Sequence, residues 1–193
     1  MDTATRHLIR TTVLLIAPLL LGSGAIGENG RQIAPAIRVY DATAEQEEEV
    51  RWAVARYQRA DLSMPPLAVY FHPLAGPCGE NALGYYEDGR IDLCTGVSVN
   101  AMSRYVILHE MAHAWTERND SPATIDRFLR LRALSSWNDP GVYWHLRGWE
   151  QAAEFISWGV GERIISPHLV QVTPGEVARG YRLLTGKPIP ARP

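Results

Sequence analysis

His109-Glu110-Met111-Ala112-His113 lies inside a run, Ala101 to Trp115, where Tyr105, Val106, Leu108, Met111 and Ala112 spread apolar surface around polar residues. That pattern predicts a helix. On a helix, residues four apart share one face, so the two imidazoles can reach a single ion while Glu110 is rotated toward the ion's open side. The pentapeptide is an HExxH pattern: two nitrogen donors for a metal, and a carboxylate able to take a proton from water. A metal used catalytically keeps three protein ligands and one open position. A third ligand must therefore come from elsewhere in the chain.

A longer motif with a third His six residues beyond His113 is excluded, because Asn119 stands there and Thr116 replaces the Gly such a motif needs. Glu117 follows His113 by one turn, but a straight helix rarely wraps three consecutive turns around one ion. A second, crossing helix is the better source. Glu150-Gln151-Ala152-Ala153-Glu154 offers two carboxylates four apart, with alanines that let helices approach closely. One carboxylate can bind the metal while the other accepts the N–H of a ligating imidazole, fixing its tautomer and orientation.

Nearer the N-terminus, Thr43-Ala44-Glu45-Gln46 has the form of a capping box. It opens an amphipathic helix that buries Val50, Ala53, Val54 and Tyr57 and ends near Ala60. Leu67–Phe71 is short, partly β-branched and aromatic, and Arg90–Cys94 alternates with period two; both predict strands, with a turn at Glu87-Asp88-Gly89 before the second. Ser121-Pro122 opens a further helix, a loop at Asn138–Gly141 comes next, and two more helices are expected at Gly148–Trp158 and Pro174–Leu184. Residues 28–40, broken by Gly30 and Pro35, are read as a linker, so the folded domain is expected over residues 41–193 with a loose tail from Lys187. This order predicts an α+β fold: a small sheet flanked by the HExxH helix and the Glu150 helix, with the metal between them.

Residues 1–27 differ from the rest. Arg6 and Arg10 precede an uncharged, largely apolar run from Thr11 to Gly27, which contains the small residues Gly22-Ser23-Gly24-Ala25 near its end. This matches a secretory signal, with cleavage after Ala25; the run is shorter than the about 20 apolar residues of a membrane span and contains Pro18. The cleaved signal is favoured over an uncleaved N-terminal anchor, and membrane attachment is expected only through residues 11–27. A secreted or extracytoplasmic location is therefore expected, where Cys78 and Cys94, the two cysteines of the chain, should form a disulfide. A net charge of −2 in 193 residues, with no basic tract, supplies no field for phosphates, so nucleic acid is not an expected partner. His72, His7 and His168 read as structural, signal-region and loop histidines respectively, and the six tryptophans as core or cleft wall.

HExxH with a later helix of the form ExxAE resembles the gluzincin division of zinc metallopeptidases, to which thermolysin belongs. His113-Ala114-Trp115-Thr116-Glu117 is also similar to the stretch that begins at the second His in thermolysin. The resemblance implies a zincin-like fold with a small mixed or antiparallel sheet, Zn2+ held by His109, His113 and Glu150, Glu154 supporting a ligating His, and Glu110 as general base. The reverse assignment, Glu154 as ligand, is second choice. Residues 61–159 further resemble small exported zincin-like peptidases, with paired cysteines around a Gly-Tyr segment before the motif. The implied activity is hydrolysis of peptide bonds in a peptide or protein substrate. Such enzymes align the substrate backbone on a strand edge; Arg90–Cys94 is read either as that edge or as an ordinary internal strand, which one sequence does not distinguish. A donor to the oxyanion is also needed: His145 is favoured, then Tyr143, with Arg147 a third candidate by position. Two other readings stand beside this one: a non-catalytic exported metal-binding or interaction module, and a zinc hydrolase of a non-peptide amide such as a cell-wall crosslink. The presence of Glu110 argues against the first, because a structural metal site has no use for that base.

Overall fold

A computed structural model describes residues 30–79, 82–97, 99–161 and 172–191. The expected signal or anchor over residues 1–27, and with it His7, lies outside them, as does His168. Among the described residues the chain is mixed α/β, with five α-helices and one five-stranded mixed sheet.

The strands are β1 (Arg31–Ala34), β2 (Ile37–Tyr40), β3 (Leu67–Phe71), β4 (Gly84–Glu87) and β5 (Arg90–Leu93), in the spatial order β1-β2-β3-β5-β4. The three central strands are parallel, and β1 and β4 pair antiparallel at the two sides. Residues 31–40 are therefore not a linker. Ile37 and Val39 alternate with Arg38 and are buried, and Pro35-Ala36 occupies the tight connection between two four-residue strands. The pieces are too short to announce themselves by pattern, and the sheet selects them by burial.

Gly84–Glu87 is a strand the sequence reading did not find. It forms a hairpin with β5 around Asp88-Gly89, both at positive φ, the twist a two-residue hairpin turn requires. As a consequence Arg90–Leu93 lies inside the sheet between β3 and β4, the internal of its two expected placements and not the edge. The outermost strand on this side is β4.

Helix α1 (Ala44–Arg59) begins at the predicted Thr43 capping box. Helix α2 (Ala101–Asn119) is capped by Asn100, α3 (Pro122–Arg132) by Ser121, and α5 (Pro174–Thr185) by Thr173; α4 (Gly148–Val160) has no side-chain cap. Ile37, Val39, Leu67, Val69, Phe71, Ile91 and Leu93 form the sheet's contribution to one continuous core. Helix α2 is buried along most of residues 103–116, and α4 lies between α2 and α5. Two ties fix α2 to α1: the Tyr57 hydroxyl donates to Leu108 O at 2.7 Å, and Arg104 bonds both carboxylate oxygens of Glu49. Buried hydrogen bonds of this kind contribute about 1 kcal/mol each and mainly set register. Cys78 and Cys94 form the expected disulfide, holding the loop after β3 to the end of β5. No helix among the described residues is long and apolar enough to cross a membrane.

Candidate metal centre

Helices α2 and α4 pack against one another, and their small residues Ala112, Ala152 and Ala153 are fully buried. That brings His109, His113 and Glu150 together, all buried. His109 Nε2 and His113 Nε2 are 3.1 Å apart, and each is 3.2 Å from Glu150 Oε2. A tetrahedral ion with bonds of about 2.0–2.1 Å holds its ligands about 3.3 Å apart. The three donors already stand at that spacing, so the group could hold a divalent metal ion.

The electrostatics agree with a cation there. Without one, burial pulls the His109 imidazolium down, but the hydrogen bond to Glu150 and the charges of Glu110, Glu154 and Glu150 outweigh it and raise its pKa to about 9. Burial also pulls His113 down, and with the charge of His109 it outweighs the hydrogen bond to Glu150. Burial pushes Glu150 up, yet the two imidazoles more than offset this and hold it near 2. Glu110, on the same helix, is pushed up to about 7, first by burial and then by Glu150 and Glu154 against the opposing pull of His109. A divalent ion among the ligands would lower it again and make it a proton acceptor near neutrality.

Around the ligands stands a second set of side chains. Glu154 Oε1 lies 3.7 Å from His109 Nδ1, the ring nitrogen turned away from the cluster, and the Tyr105 hydroxyl donates to that same oxygen. Glu150 thus faces the converging nitrogens and Glu154 the outer one. Among the described residues neither outer nitrogen, His109 Nδ1 or His113 Nδ1, has a hydrogen-bond partner; Glu154 is close to the first without bonding it. Each imidazole also carries a tryptophan: Trp149 stacks on His113 at 4.6 Å and Trp144 on His109 at 5.8 Å. Glu117, weighed as a ligand, instead accepts from the hydroxyl of Tyr86 on β4, whose ring stacks toward His113.

Tyr143 and His145 are stacked on one another in the exposed stretch around a short 3-10 turn, Trp144–Leu146, and no hydrogen bond or ring contact joins either to the ligands. Trp144, between them, is the residue of that turn in contact with the site. Arg147 is spent on the carbonyls of Val142 and Pro140.

Three features escaped the sequence reading. Tyr105 precedes His109 by four residues and so shares its face, a signal that was there to be read. Trp144 carried no positional signal. Gly84 brings β4 onto α2: a Cβ built there would lie 2.6 Å from Glu110 Oε1 and 2.7 Å from Val106 Cγ1. The bare backbone of β4 therefore presses on the carboxylate beside the metal ligands.

Compared with known proteins, the chain matches no family model, no curated protein and no solved structure.

Proposed function

We propose that the chain is an extracytoplasmic zinc-dependent peptidase of the gluzincin kind, with a zincin-like fold, in which His109, His113 and Glu150 hold the ion and Glu110 is the general base. One observation carries the reading: three buried donors at tetrahedral spacing, with a buried carboxylate from the same HExxH turn beside them. Zinc rather than another ion is favoured by the two imidazoles and single carboxylate, a donor set typical of its hydrolytic sites. When bound, it supplies Lewis acidity, bringing the ionisation of a water from about 15.7 to about 7 and polarising a carbonyl.

The chain's own groups then divide the work. Glu110 takes the proton of the attacking water and returns it to the leaving amine nitrogen. Glu154, which accepts from Tyr105 and stands 3.7 Å from the outer nitrogen of His109, is the carboxylate proposed to orient that ring by accepting its N–H. The outermost strand β4, with Gly84 against Glu110, is placed to pair with an extended substrate backbone and bring a peptide bond to the base. His145 and Tyr143 are the proposed donors to the oxyanion, from the turn whose Trp144 stacks on His109. The disulfide supports an oxidising compartment outside the cytoplasm.

The test is metal content together with turnover of an unstructured protein. Wild type is expected to hold about one zinc per chain and to lose activity with chelator. Glu150→Ala should lose most of the metal, because two remaining ligands make an incomplete site. Glu110→Ala should keep the metal and lose turnover. Full zinc in Glu150→Ala would move the ligand to Glu154 or Glu117, and turnover by Glu110→Ala would remove it as base.

A further inference from the structure

We infer that the end of the domain built from residues 73–79, 94–97 and 99–102 rests on a lipid bilayer surface, with Leu74, Val97 and Met102 inserted among the headgroups. These side chains are 71%, 80% and 50% exposed, and Val99 and Leu83 beside them are also open to solvent. Leu74, Leu83 and Val97 belong to one surface, with Val99 and Met102 following in the chain. A Cβ on Gly96 would meet Leu74 at 3.5 Å, Cys94 N donates to Leu83 O, and the disulfide joins Cys78 to Cys94. None of these segments carries a charged residue: 73–79 is Pro-Leu-Ala-Gly-Pro-Cys-Gly, and no Asp, Glu, Lys or Arg occurs from Leu93 to Ser103. Singly exposed apolar residues are ordinary, but several on adjacent uncharged loops mark a contact surface.

The chain itself says which contact. Strands β2, β3 and β5 are parallel, so the loops after β3 and β5 leave the sheet at the same end as Tyr40 of β2. Gly30 packs directly on the ring of Tyr40, where a Cβ would come within 2.2 Å. The described chain therefore enters at this end, and only Glu28 and Asn29 separate it from the apolar run of residues 11–27. Wherever that run is held in a bilayer, a link this short places Leu74 and Val97 at its surface, and linked weak contacts reinforce one another. At 17 residues with a proline, the run is short for a span, so a second contact has work to do. Asp41 and Glu45 are exposed at this end, so the contact is apolar insertion and needs no anionic lipid. The inference is independent of catalysis but assumes that residues 11–27 stay attached.

Hydrogen exchange on the full chain, with and without phosphatidylcholine vesicles, tests it. Amides of 73–79, 94–97 and 99–102 are expected to exchange at least about tenfold more slowly with vesicles. A Leu74→Ser, Val97→Ser double variant, altered only at exposed sites, should lose that protection while the amides of α2 stay protected. Three results would overturn the inference: loop exchange unchanged by vesicles, whether or not the chain binds them; protection that grows with protein concentration in the absence of lipid, which assigns the surface to a second copy; or protection confined to Tyr143–Leu146.

Discussion

Replacing Gly84 by alanine adds one methyl group at the closest approach between the sheet and the proposed base. Gly84 has ordinary strand backbone, with no positive φ for alanine to resist, so the cost is purely steric. The new Cβ would stand 2.6 Å from Glu110 Oε1, 2.8 Å from Glu110 Cγ and 2.7 Å from Val106 Cγ1. Carbon atoms in contact want about 3.5–4.0 Å, so a gap of about 1 Å must open. Either β4 lifts from α2 or the Glu110 carboxylate swings away. Overpacking of this size costs about 1–3 kcal/mol, and moving a catalytic group by about 1 Å can cost about a hundredfold in rate. No metal ligand is touched. The expected variant is folded, somewhat less stable to urea, about stoichiometric in metal, and slowed about a hundredfold in kcat on an unstructured protein substrate. Wild-type turnover in a folded Gly84→Ala chain would refute the idea that the approach of β4 sets the position of Glu110. Lost metal would mean instead that the helix pair itself had been forced apart.

Other consequences can be measured with the same preparations. Glu154→Gln should weaken zinc binding about 10- to 100-fold in competition with a chelator, the usual effect of removing a partner from a ligating imidazole; unchanged affinity would leave Glu154 a packing residue. Cys78→Ser with Cys94→Ser opens a loop whose ends are 16 residues apart and should lower the unfolding free energy by about 3 kcal/mol, read from denaturant melts. Asp120 closes α2 with both carboxylate oxygens buried and without a hydrogen-bond partner among the described residues, and burial pushes its pKa from 3.8 up to about 7. The raised value means the folded state holds the proton more tightly. The group therefore costs nothing below pH 3.8, costs progressively more as pH rises, and reaches its full penalty, at most about 4 kcal/mol, above about pH 7. Asp120→Asn should accordingly gain stability over wild type between about pH 4 and about pH 7 and keep a constant advantage beyond; a gap independent of pH would show that the carboxyl is solvated.

The parts of this protein legible in its sequence are those where one short pattern decides. Helix α2 could be read because its apolar residues and the His109, His113 spacing both follow the helical period of about 3.6 residues, and the Thr43 cap because Gln46 answers it three residues on. The pairing of Glu150 with the two histidines was half legible: the carboxylate pair showed on the sequence and the ExxAE resemblance pointed to Glu150, but which one faces the histidines is decided by how α4 packs on α2. The small strands were illegible for a physical reason. Four residues give two inward side chains, and Arg31–Ala34 or Gly84–Glu87 offer no alternation that a loop could not imitate. Their identity comes from partners distant in sequence or across a turn, Val39 for Arg31 and Asp92 for Tyr85. The same gap moved the edge of the sheet from β5 to β4, and with it the surface that touches Glu110. Here the least patterned residue of the site, Gly84, acts by lacking a side chain. Side chains carry the patterns that a sequence displays, so a position such as Gly84, where a Cβ would collide with Glu110 and Val106, leaves no mark there.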